Sequence, residues 1–387
     1  MNQKMKDKIA FFYPSRNIGG AQLLFARLAV YLAKSGKDVL IIDYLDGFVY
    51  QYVQEEFSSI DFIKYEDKQL SIDYDICLVQ HLSSIHTLRK NLILTDNSKL
   101  LFWSIHPYNI ISLFRLTPIY TRAKSFGSRF VMQLLEPQLK AKVGNLVAEL
   151  FKNKAILFMD ETNFLPFKKL GLTEEKYIKY LPIPILHSHV YKLRENFSTT
   201  HFGWIGRITE EKIKSFNFIL QKLDDIAKFQ KITFHIIGYG DLAYLKNLKN
   251  LAIINHGIVA KEELSELLLN EIDILVAMGT SALESAVLGI PTLLTDISKT
   301  KFPKGYKYKW IYQSTNFNLG GYAYEFSGDI DTDQIIKVAF SQEEYKITSE
   351  KCKEYVIKNH SMSVVAEELD KAMNNSMFSF KDLKKFY

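Results

Sequence analysis

KIAFFYPSRNIGGAQLLFARLAVYLAKSGKDVLIID, residues 8–43, decides the fold. Lys8 to Tyr13 is a short apolar run that stops at Pro14, and Asn17, Gly19 and Gly20 supply turn chemistry behind it. In the AQLLFARLAVYLAKSG that follows, Leu24, Phe25, Leu28, Ala29 and Leu32 recur with the period of a helix that buries one face, and Gly36 supplies its stop. DVLIID is apolar on both faces, as a strand covered by helices must be. Strand, glycine loop, helix and strand make a βαβ unit, which requires a parallel sheet and a right-handed crossover.

The same alternation runs outward. DFIKY (61–65), DICLVQH (75–81), LLFWSIH (100–106) and AILFMD (155–160) read as further buried parallel strands. After the two prolines Pro182 and Pro184, a polar stretch reaches Thr200, and the pattern then restarts. HFGWIGRI, a helix from about Lys214 to Phe229, ITFHIIGYGD, LAIINHG, a helix from Lys261, DILVAM, a helix from Ser281 and TLLTD follow in turn. The expected architecture is α/β, with two Rossmann-like doubly wound domains over residues 1–192 and 193–360. Residues 361–387 read as an amphipathic helix with a basic, aromatic end that can pack back on the first domain.

A length of 387 residues, 47% hydrophobic and 24% charged, excludes disordered, collagen-like and disulfide-scaffold classes. Cys77 and Cys352 stand far apart with no partner at metal-ligand spacing, which argues against a disulfide framework and a zinc site and is compatible with a reducing compartment. No apolar stretch is long enough to span a bilayer. The net charge of +6 is one-sided: residues 1–190 hold 24 Lys and Arg against 18 Asp and Glu, whereas 191–387 hold 25 of each. Within the first half, Asn97 to Leu135 has no acid but carries Lys99, Arg115, Arg122, Lys124 and Arg129 among seven aromatics. This is the composition of an anionic-membrane or acceptor face, and equally of buried helices with snorkelling cations. With the second half neutral and no docking motif present, nucleic acid is not an expected partner.

Two segments concentrate chemistry. In GWIGRITEEK (203–212) a strand ends at Gly206 and presents Arg207 and Lys212 at a helix entry, where a fork and a point charge suit a diphosphate. The bland alternative is a solvated turn. In MGTSALESAVLGIP (278–291), Gly279 makes a tight turn, Thr280 or Ser281 is a natural N-cap, and Glu284 lies one turn inside the helix, placed for two vicinal hydroxyls or simply for the helix dipole. Asp73–Asp75 and Asp329–Asp333 read as a strand start and a loop, not as metal motifs, and no metal or other cofactor is expected. His81 is either a satisfied core histidine or part of an acceptor site, while His187, His189 and His256 read as structural.

Taken together, GGAQ (19–22), the His106 of WSIHP, GRITEEK, IIGYGD (236–241) and ALESAVLGIP (282–291) resemble a retaining glycosyltransferase of the GT-B fold, similar to family 4, the group 1 glycosyltransferases. The resemblance implies two Rossmann-like domains facing across a cleft, the first binding acceptor and the second a nucleotide-sugar. It implies that Arg207 and Lys212 clamp the diphosphate and stabilise the leaving nucleotide. It implies that Glu284 binds ribose, that Gly206, Gly238, Gly279, Thr280 and Ser281 line the donor site, that His106 meets the donor sugar, and that Gly19 and Gly20 approach from the first domain. The implied partners are a nucleotide-sugar and a glycan or lipid-linked acceptor. The implied location is cytoplasmic, with a peripheral place on the inner face of the cell membrane as an option. Val276 replaces the first glutamate of the family's paired-glutamate motif, which keeps open a catalytically inactive, nucleotide-sugar-binding protein or partner subunit.

Overall fold

The structure, a computed structural model, describes residues 8–113, 137–171, 178–186, 190–325 and 328–386. The chain divides into two compact units, Met1–Pro184 with Met362–Tyr387, and Ile185–Ser361. In the first, strands β1 (Lys8–Phe12), β2 (Val39–Asp43), β3 (Asp61–Lys64), β5 (Ile76–His81), β7 (Lys99–Ser104) and β8 (Ile156–Phe158) form one sheet, while β4 (Leu70–Ser71) pairs with β6 (Leu92–Ile93) beside it. The sheet order is β3-β2-β1-β5-β7-β8, parallel throughout. Every residue of β2 and β5 is buried, because helices cover both faces. α1 (Gly20–Lys34) turns Leu24, Phe25, Leu28, Ala29 and Leu32 inward. α2 (Phe48–Glu56), α3 (Ile85–Asn91), α4 (Pro137–Lys152) and α5 (Glu161–Lys169) follow.

The second unit repeats the plan. β9 (Thr200–Ile205), β10 (Ile232–Ile237), β11 (Ala252–Gly257), β12 (Ile274–Ala277), β13 (Thr292–Leu294) and β14 (Lys309–Trp310) run in the order β11-β10-β9-β12-β13-β14, with only β14 antiparallel. α6 (Ile213–Ile226), α7 (Lys261–Glu271), α8 (Thr280–Ala286), α9 (Thr332–Phe340) and α10 (Gln342–His360) complete it. Phe202, Trp204, Phe216, Phe234 and Val276 are wholly or almost wholly buried in its core. Asp331 caps α9 by accepting the Gln334 N–H at 3.0 Å, which accounts for one carboxylate of the 329–333 run. Each sheet runs outward through three strands, β1 to β3 and β9 to β11, and then restarts on the other side of its first strand, giving switch points at β1/β5 and β9/β12. In such sheets ligands bind beyond the carboxyl ends of the strands at that place.

The chain ends in the first unit. α11 (Met362–Asn375) and α12 (Phe380–Lys384) follow α10, and Lys37 pairs with Asp370. Between them, Leu100 N–H donates to the Phe378 carbonyl and Phe380 N–H to that of Ser98, each at 2.9 Å, which fastens the segment to the amino end of β7. Phe378, Phe380 and Leu383 lie in the same core as Leu78 and Phe102.

Candidate functional site

At the second switch point the loops after β9 and β10 touch backbone to backbone. Gly206 N–H donates to the Ile237 carbonyl at 2.9 Å and Ile208 N–H to that of Tyr239 at 2.8 Å. Gly206 and Gly238 have φ of 124° and 134°, and a Cβ on Gly238 would overlap the Gly206 carbonyl. Only glycine fits there. The approach sets the path of the chain into Arg207, which is exposed, and Lys212, which is half-buried at the N-cap of α6. Burial and then the nearby Arg207 charge lower the Lys212 pKa. Glu211, its acidic neighbour, is 3.6 Å from Lys299. Among the described residues neither Arg207 nor Lys212 has a carboxylate within ion-pair reach. Two adjacent cations with no ion-paired carboxylate, offset only by the Glu211 charge, are an electrostatic cost in the free protein that a bound anion removes.

Across the switch point, β12 ends at Ala277 and Gly279 adopts φ 61°, ψ −137° as the N-cap of α8. The expectation that Thr280 or Ser281 caps this helix is corrected: no side chain caps it. The left-handed turn at Gly279 is so tight that Thr280 and Ser281 already occupy the first helical positions. Glu284 is half-buried on the next turn. Val276, by contrast, is fully buried within β12, opposite Leu293 and Trp204. A side chain at that position belongs to the core. The structure therefore gathers Gly206, Arg207, Lys212, Gly238, Gly279, Thr280, Ser281 and Glu284 at the carboxyl ends of β9, β10 and β12.

In the first unit, Gly19 is the N-cap of α1 at the end of the loop from β1, and Gly20 is the first residue of that helix. The residue that fixes their loop is one the sequence reading passed over. Asp43, buried at the end of β2, accepts N–H groups from Ser15 at 3.1 Å, Tyr44 at 2.8 Å and Tyr50 at 3.1 Å. Ser15 Oγ in turn accepts from Asn17 N–H and from Gln22 Nε2. At the switch point, Tyr13 stacks on His81 with ring centroids 4.4 Å apart. His81 Nδ1 accepts the Ser83 N–H at 3.2 Å, and burial followed by the His106 charge pushes its pKa down to about 3, so it is neutral. His106 is exposed after β7, its Nδ1 accepting the Tyr108 N–H at 3.2 Å, which puts the proton of the neutral ring on Nε2. Lys99 opens β7 at the opposite end of that strand and is half-buried. Arg115, Arg122, Lys124, Arg129, His187 and His189 lie outside the described residues.

Residues 199–306, which carry the second switch point, match the family model described as "Glycosyl transferases group 1". No curated protein sequence matches the chain. Among solved structures, the chain is similar to HepE of Anabaena, crystallised in complex with UDP and glucose, at 11% identity and TM-score 0.52, covering 95% of this chain and 99% of that one. It is similar to the lipopolysaccharide outer core galactosyltransferase WaaB at 12% identity and TM-score 0.56, covering 96% and 100%. A glycosyltransferase from Rickettsia africae gives 12% identity and TM-score 0.56, with 97% and 100% covered. The fold is that of the GT-B glycosyltransferases, and the match to the group 1 model lies within the second unit.

Proposed function

We propose that the protein transfers a sugar from a nucleotide-sugar to a glycan or lipid-linked acceptor in surface polysaccharide or glycolipid synthesis, with retention at the anomeric carbon. The observation that carries this reading is the pair Arg207 and Lys212, two adjacent cations without a carboxylate partner at the switch point of the unit that matches the group 1 model. Breaking the bond from the anomeric carbon to the diphosphate leaves negative charge on the nucleotide. The exposed Arg207 guanidinium, as a fork, and the half-buried Lys212 ammonium, as a partly desolvated point charge, stabilise that charge as it develops, with no metal ion required. Glu284, one turn into α8, holds the ribose hydroxyls, and the N–H groups of Thr280 and Ser281, in the first turn of that helix, lie against the phosphates, while the Gly279 N–H donates to the Leu319 carbonyl at 2.8 Å. His106, donating from Nε2, binds a hydroxyl of the donor sugar. The UDP and glucose held by HepE support a nucleotide and a sugar as the ligand class.

Val276 favours a second reading. The position of the family's first glutamate is inside the core here, so the donor sugar lacks that partner, and a protein that binds a nucleotide-sugar without turning it over fits this change. One experiment separates the two. A panel of UDP-, GDP- and dTDP-sugars is read first by thermal shift, since a ligand that binds only the folded state raises the melting temperature, and then by release of nucleotide. The transferase reading expects both signals, with Arg207→Ala lowering kcat/KM about a hundredfold or more. Binding without release selects the second reading, and neither signal rejects both. No helix among the described residues is long and apolar enough to cross a membrane. The basic, aromatic stretch 97–135 supports peripheral contact with anionic lipid, tested by sedimentation with anionic vesicles.

A further inference from the structure

On the second sheet, away from its switch point, three histidines form a row. His201 Nδ1 of β9 is 2.9 Å from His235 Nε2 of β10, and His235 Nδ1 is 2.9 Å from His256 Nε2 of β11. The His235 and His256 rings stack with centroids 5.2 Å apart and planes 13° from parallel. His235 is fully buried, and the outer two are half-buried. We propose that His201, His235 and His256 form one proton-binding site with room for a single proton, whose charge rests on His256.

The capacity follows from counting donors and acceptors. Each ring contact needs one proton and one lone pair, so the two contacts together hold two protons. Three neutral rings carry three, and the third sits on one of the two outer nitrogens, His201 Nε2 or His256 Nδ1. One added proton fills the other outer nitrogen and breaks nothing. A second added proton must enter a contact that already holds one, and so costs a hydrogen bond. With one proton bound, the positions of the two contact protons decide which ring is charged, and the facing groups decide those positions. Asp273 accepts the backbone N–H of His201 at 2.9 Å, and that carboxylate lies 3.4 Å from Arg194 and 3.7 Å from Lys192, so it offers the His201 ring no unpaired negative charge. His235 is disfavoured by burial and by the charges of its two neighbours and Lys192, which push its pKa down to about 4. His256 lines a surface cavity with Glu263, Glu266 and Glu271 of α7, which favour a cation there.

The site does not depend on the transfer reaction. Its test is a long-range 1H–15N spectrum of the full-length protein labelled at histidine nitrogen, followed from pH 8 to pH 5, with the three rings assigned through backbone-to-ring correlations. The expected result is one imidazolium in the row, at His256, while His201 and His235 each keep one protonated nitrogen. Two imidazolium rings in the folded protein, or a charge settled on His201 or His235, overturn the proposal.

Discussion

His81 is a buried titratable residue held neutral by its surroundings, with no ion pair involved. Its ring is stacked on Tyr13, accepts a backbone N–H, and has a pKa of about 3 where an unfolded chain offers about 6.5. The unfolded state therefore takes up a proton first as pH falls below 6.5. The stability that neutral His81 contributes is complete above that pH and is lost progressively towards 3, with a slope of up to about 1.4 kcal/mol per unit. Asp160 acts in the opposite sense, because burial raises its pKa to about 6 and acid relieves the cost of its charge. His81→Asn keeps an acceptor for Ser83 and removes the titration, while Asp160 and His235 remain in both proteins. Urea unfolding of the wild type at pH 7 and pH 5 should show a loss roughly 2 kcal/mol larger than that of the variant. Equal losses would mean that His81 is solvated and titrates normally.

At the scale of elements, the crossing of the loops after β9 and β10 is the feature on which the second switch point rests. Gly238→Ala places a methyl group against the Gly206 carbonyl at a φ of 134°, and neither strand can give way because both are central to a six-stranded sheet. A cost of about 1–3 kcal/mol is expected from the strain alone. Displacement of Gly206 and Arg207 should weaken nucleotide binding further, with calorimetry and a nucleotide titration reading the two effects separately. Unchanged stability would show that the loops part easily. The strands and helices around this crossing are legible in the sequence because βαβ units declare themselves locally, through a short apolar run, a glycine and a 3.6-residue period. The place of Gly279 as N-cap is not, because Thr280 and Ser281 carry the stronger capping propensity and only the observed φ and ψ decide between them. Tyr13 and His81, Asp43 and Ser15, and the three histidines are brought together by register between strands or by loops that fold over strand ends. Separations of 34 and 21 residues along the histidine row leave no local pattern to read.

For the whole molecule, the decisive fact is that the chain leaves the first unit at Pro184 and returns to it at Met362. An amphipathic pattern in the last residues leaves that return open as an option. What makes it part of the fold is the pairing of Phe378 and Phe380 with Leu100 and Ser98, and burial to 2% exposure or less of Val365, Leu369, Phe378, Phe380 and Leu383. Fully burying such side chains contributes about 1.5–3 kcal/mol each, on the order of 10 kcal/mol for the five. That is comparable with the entire net stability of a typical domain, about 5–15 kcal/mol. Ending the chain at Ser361 should therefore unfold the first unit. The second unit, whose core draws no residue from beyond 361, should keep its own melting transition. Differential scanning calorimetry of the truncated chain is expected to retain the second unit's transition and lose the first's, with Trp103 exposed to solvent by fluorescence and Trp204 and Trp310 still shielded. If the truncated chain keeps Trp103 buried and melts as the full chain does, the last residues are an appendage and the first sheet supports itself.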